Sequence, residues 1–78
     1  MGQEEVPVRI ANILLRLYQV HGDEIPFTKK EISELVGTTL ETTFRTLSEF
    51  QEKGLINSAR GKIFIKNPEG LETLVEEI

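Results

Sequence analysis

Apolar residues recur along this chain in blocks whose spacing changes from one block to the next. In the first block Val8, Ala11, Leu15 and Tyr18 share one helical stripe, with Ile10, Ile13, Leu14 and Leu17 beside it. Pro7 suits the first turn of such a helix, and Gly22-Asp23 ends it. So wide a face predicts burial on more than one side. Met1 to Glu5 gives a loose start, and Ile25-Pro26-Phe27 fits a short edge strand. A narrower stripe follows, with Ile32, Leu35 and Val36 at i, i+3, i+4. Thr28 and Glu31 form a capping box ahead of it, and Gly37 stands where a left-handed C-cap residue is wanted.

Thr39 caps the next helix, which runs to about Lys53 and stops at Gly54. On its wheel Thr43, Leu47 and Phe50 form the core face, with Leu40 and Gln51 at the edge. The period then changes to two. Leu55 and Ile56 begin a strand and Ser58 to Gly61 supply a turn. After it, Ile63 and Ile65 point one way while Lys62, Phe64 and Lys66 point the other. Asn67-Pro68 opens a last helix over about 68–78, where Leu71, Leu74, Val75 and Ile78 form one stripe.

These elements predict one domain over residues 1–78, mainly α with a small β-hairpin: a winged helix-turn-helix. The helix-turn-helix occupies about 28–53, the wing about 55–66. In such a motif the second helix enters a DNA major groove.

A chain of 78 residues has room for one small core. It has no cysteine and one histidine, so neither a disulfide framework nor a metal centre is expected. No nucleophile–base pair or phosphate-cradling glycine loop suggests an enzyme or a cofactor. No run is long enough to span a membrane, and the start is acidic rather than basic, so a cytoplasmic protein is expected.

The net charge of −4 argues at first against nucleic acid. Its distribution changes the picture. Residues 1–27 carry −2 and residues 67–78 carry −4, whereas residues 28–66 carry +2. The positive charge lies in the helix-turn-helix and the hairpin, and the acidic ends are expected to face away from DNA.

Three segments resemble the C-terminal DNA-binding domain of the Crp/Fnr family of bacterial transcription regulators. RIANILLRL (9–17) resembles R-I-A-x-x-L-L-x-L, the family's first helix of this domain. TKKEISELVGTTLETTFRTL (28–47) resembles T-[RK]-x-E-[IL]-x-x-[LIV]-G-x-[ST]-x-E-T-[VI]-x-R-x-L. GLINSARGKIFI (54–65) resembles the family wing, with a turn one residue longer than in some members. The N-terminal effector-sensing barrel and long dimerisation helix of full-length members are absent, which suggests an excised domain. The resemblance implies double-stranded DNA as partner, RNA polymerase as a candidate second one, and a homodimer in the full-length regulator. The fragment itself is expected to be a monomer or weak dimer.

Glu41 and Arg45 lie on the outward face of the second helix. Arg can grip guanine O6 and N7 with two bonds, and Glu can accept from cytosine N4. The plainer reading of the pair is an i, i+4 ion pair on a solvated helix. Thr39 and Thr42 sit where hydroxyls and backbone N–H groups meet phosphates, although Thr39 would cap the helix without DNA. Thr28 and Lys29 open the preceding helix beside the same backbone, and Arg60 and Lys62 in the wing are candidate phosphate contacts. Leu40 replaces the basic reader of the family's cyclic-AMP-responsive branch. Phe44 stands where the family has a small, DNA-facing residue. It either packs on the core edge or offers an apolar surface to thymine methyl groups. His21 suits a helix C-terminus. The leading expectation is sequence-specific DNA binding by helix 39–53; the alternative is a winged helix used only for protein–protein interaction, favoured by the acidic total charge and the apolar first helix.

Overall fold

The computed structural model describes residues 5–76. The elements follow the order α1 (Val6–His21), β1 (Glu24–Ile25), α2 (Lys29–Val36), α3 (Leu40–Glu52), β2 (Ile56–Ala59), β3 (Lys62–Ile65) and α4 (Pro68–Glu76). The architecture is mainly α with a small antiparallel sheet, a winged helix-turn-helix. Met1 to Glu4 and the Ile78 position of the last apolar stripe lie outside the described residues.

Local chemistry sets most boundaries. Thr28 Oγ1 accepts from the Glu31 N–H at 3.1 Å while Glu31 Oε1 accepts from the Thr28 N–H at 2.8 Å, closing the capping box. Gly37 ends α2 at φ 82°, a left-handed conformation that a β-carbon disfavours. The Thr38 N–H then reaches back to the Ser33 carbonyl at 3.1 Å. At the end of α3 the Leu55 N–H bonds the Phe50 carbonyl at 2.9 Å and the Gly54 N–H bonds the Gln51 carbonyl at 3.0 Å, a Schellman closure. Asn67 Oδ1 accepts from the Gly70 N–H at 3.1 Å and caps α4.

The sheet order is β1-β3-β2. Ile25 pairs with Ile63, and β2 pairs with β3 from Ile56↔Ile65 to Ala59↔Lys62. The edge strand expected at residues 25–27 is therefore present but sits at Glu24–Ile25, ahead of Pro26, which lacks a ladder donor. The hairpin turn is also tighter than expected. Ser58 and Ala59 belong to the ladder, and only Arg60 and Gly61 connect the strands. Gly61 takes φ 76° at the second turn position while Arg60 keeps a negative φ, the type II pattern, in which glycine is favoured at that place.

One core joins all elements: Ile10, Ala11 and Leu14 of α1 meet Ile25, Ile32, Leu47, Phe50, Ile56, Ile63 and Leu71. α4 packs chiefly on α1, and α2 packs on both α3 and α1. Two stripes shift from their sequence reading. Leu35 is half exposed, and Ser33 takes its place inside, donating to the Lys30 carbonyl at 2.6 Å. On α3, Thr46 is buried with Thr43, Leu47 and Phe50, while Gln51 is exposed. Both buried positions hold small polar residues that hydropathy passes over.

Candidate nucleic-acid interface

The N-terminus of α2, the N-terminal half of α3 and the wing turn converge on one surface. Between them lies a groove of about 460 Å³, lined by Thr28, Lys29 and Lys30, by Leu40 and Phe44, and by residues 58–62. The wing is held there because β3 is paired on both sides, and α3 is held because Thr43, Leu47 and Phe50 are buried beneath it.

Six residues anticipated from sequence line this groove: Thr28, Lys29, Leu40, Phe44, Arg60 and Lys62. The other four, Thr39, Glu41, Thr42 and Arg45, belong to the cap and first turns of α3 itself. Thr39 Oγ1 accepts from the Thr42 N–H at 3.1 Å and donates to Thr42 Oγ1 at 2.8 Å. Both hydroxyls thus serve the cap. The N–H groups of Leu40 and Glu41 lie ahead of Thr43, whose N–H bonds the Thr39 carbonyl at 3.1 Å, and have no intrahelical partner.

Arg45 and Glu41 form an i, i+4 ion pair at 3.6 Å, with side chains 67% and 85% exposed. The solvated-pair reading is therefore realised in the free chain. It does not exclude base reading, because an exposed i, i+4 pair contributes only about 0.3–0.5 kcal/mol. A bidentate base contact is worth about 1–3 kcal/mol of discrimination and can displace it.

Phe44 does not pack on the core edge. It is 47% exposed on the groove, and Leu40 is 40% exposed. The Lys29 ammonium stands 5.1 Å from the Phe44 ring centroid. Lys62 is not free: its Nζ donates to Glu24 Oε2 at 2.7 Å, tying the wing to β1. Neither Lys30 nor Glu24 was anticipated in this surface. Lys30 had a signal, being a second cation in the first turn of α2; Glu24 had none, because its approach depends on strand pairing.

Arg9 of α1 donates to the Val36 carbonyl at the C-terminus of α2 and so braces α2 from behind. The approach beside it contains Arg9, Asn12, Ile13 and Arg16 of α1 with Leu35 of α2. Among the described residues no cluster of side chains could hold a metal ion, and no helix is long and apolar enough to cross a membrane.

Residues 8–74 match the family model of the Crp-like helix-turn-helix domain. The chain is 31% identical over 75 residues to the probable transcriptional regulator flp of Lacticaseibacillus casei, covering 92% of this chain and 34% of that protein. Its fold superposes on a transcriptional regulator of the Crp/Fnr family from Eubacterium rectale with a TM-score of 0.88 and 34% identity, over 94% of this chain and 34% of that one. A Crp/Fnr-family transcriptional regulator from Thermus thermophilus gives a TM-score of 0.85 at 29% identity, over 94% of this chain and 41% of that one. The chain thus spans between a third and about two fifths of the length of these relatives.

Proposed function

From the chain's membership of the Crp-like helix-turn-helix family, we propose that it reads double-stranded DNA in a sequence-specific manner for a Crp/Fnr-type transcription regulator. The observation that carries this reading is the convergence of three elements on one face. α3 presents Glu41 and Arg45 to solvent, and the groove beside them is rimmed by Lys29, Lys30 and Arg60. α3 enters the major groove, where Arg45 grips guanine and Glu41 accepts from cytosine. Lys29, Arg60, Thr28 and the start of α3 with Thr39 and Thr42 meet the flanking phosphates. Lys62 joins them when it leaves Glu24. In the full-length regulator two copies read the two halves of a near-palindromic site, with RNA polymerase as a further partner.

The rival reading, a protein-interaction module, drew on the broad apolar face of α1. Ile10, Ala11 and Leu14 of that face are fully buried within the domain, which removes much of its support. Acidic α4 carries the opposing charge on an element that packs chiefly on α1.

Binding to duplex DNA at several salt concentrations separates the two. A reading domain loses affinity steeply as salt rises, because phosphate contacts release counterions. Arg45→Ala is expected to cost about 1–3 kcal/mol on a selected site and much less on random DNA. Equal losses on both would make Arg45 a phosphate contact. No salt-dependent binding at all would favour the interaction module.

A further inference from the structure

Leu40 and Phe44 are large apolar residues that the fold leaves open. They lie one turn apart on one ridge of α3 and floor the groove between α2 and the wing. Scattered exposed apolar residues need no explanation, but two adjacent ones inside a polar rim mark a binding surface. The rim here is cationic, with Lys29 and Arg60. The Lys29 ammonium over the Phe44 ring helps to hold that ring in place. The next ridge carries Glu41 and Arg45.

An apolar floor within a cationic rim suits an apolar group carried on a polyanion. In the major groove of duplex DNA that group is the C5-methyl of a pyrimidine. Resting on the DNA-reading function above, we propose that Leu40 and Phe44 select C5-methyl groups, on thymine or on 5-methylcytosine, next to the guanine held by Arg45. From Leu40 to Phe44 the helix rises roughly 6 Å. That is on the order of two base steps at about 3.4 Å each, so the patch covers one or two successive methyl-bearing pyrimidines. The bulk of Phe44 also disfavours a site whose methyl-bearing pyrimidine is replaced by bare cytosine, since the ring would then cover a polar edge without filling the space.

The test uses the 78-residue chain to select sites from random duplex DNA. The selected site is resynthesised with each thymine in turn replaced by deoxyuridine, which lacks only the methyl group. The same position is then made cytosine or 5-methylcytosine opposite guanine, to separate the two sources of the methyl. Removing the contacted methyl should weaken binding about fourfold. 5-Methylcytosine should bind better than cytosine there. The double variant Leu40→Ala, Phe44→Ala, checked for an unchanged melting curve, should bind the thymine and deoxyuridine duplexes alike. Equal wild-type affinity for thymine and deoxyuridine at every position overturns methyl selection while leaving DNA reading intact. Failure to select any sequence overturns both.

Discussion

Lys62 shows how a single neighbour can change a residue's role. Sequence places it in the wing among candidate phosphate contacts, and the fold sets Glu24 against it at 2.7 Å. The pair is partly exposed on both sides, at 41% and 55%, so solvent screens it and it contributes little to stability. Its effect on DNA affinity is expected to be larger. Glu24→Gln should free Lys62, tighten binding to duplex DNA and steepen the salt dependence by about one phosphate contact. Titrations at three or more salt concentrations would read this directly. An unchanged slope would remove Lys62 from the phosphate contacts. At this scale the candidate residues were largely legible, because Glu41, Arg45 and Arg60 are charged residues at exposed helix and turn positions and Lys29, half-buried, opens a helix. Thr43 was legible as core but not its means of satisfaction: its hydroxyl donates to the Thr39 carbonyl at 3.0 Å, a back-bond that makes a polar residue acceptable inside. Ser33 and Thr46 were missed because a hydropathy wheel assigns small hydroxyl residues to the surface.

The helices were legible as elements because their ends are written in local chemistry. Thr28 with Glu31, Gly37, Thr39 and Asn67 each act within a few residues of their own position. The strands were less so. Whether Glu24 or Phe27 pairs, and where the wing turns, depends on a partner far along the chain, and no short-range signal records it. α4 illustrates how an element is seated by an absence. A β-carbon on Gly70 would stand 2.4 Å from Leu55 Cδ2, so the missing side chain lets α4 close over Leu55. Leu71 beside it is fully buried. Truncation after Asn67 would expose this contact, and losing one buried Leu alone costs roughly 1.5–3 kcal/mol. For a domain this small the melting temperature should fall on the order of 10 °C. A calorimetric or circular dichroism melt that does not move would make α4 a docking strip rather than part of the core.

Across the whole molecule, charge and architecture agree. The basic balance of residues 28–66 falls on the elements that meet in the groove, and the acidic C-terminal end falls on α4, which packs on α1. α1 itself carries Arg9 and Arg16 and no acid, and Glu24, against expectation, lies beside the wing on Lys62. Apart from Glu24, that segregation could be read from sequence, as could the winged helix-turn-helix itself. The apolar groove floor could not be assigned, because hydropathy alone gives Phe44 equally to the core edge or to the outside. Only the placement of α2 and the wing beside α3 decides it.

The sheet order has a dynamic consequence. Both ends of the helix-turn-helix, β1 before it and β2 after it, are fastened to β3, which is the last strand in sequence. An isolated two-stranded hairpin is marginal in water. Here the middle strand is clamped from both sides, and the Ile65 N–H is bonded to the Asp23 carbonyl at 2.8 Å. The wing should therefore not fray as a separate unit; it opens only when the two helices lose their anchorage as well. In native-state hydrogen exchange the amide of Ile65 should share the opening free energy of Leu47 in α3, while Gly61 at the wing tip exchanges quickly. A clearly smaller opening free energy at Ile65 would mean instead that the wing adjusts to its target independently of the recognition helix.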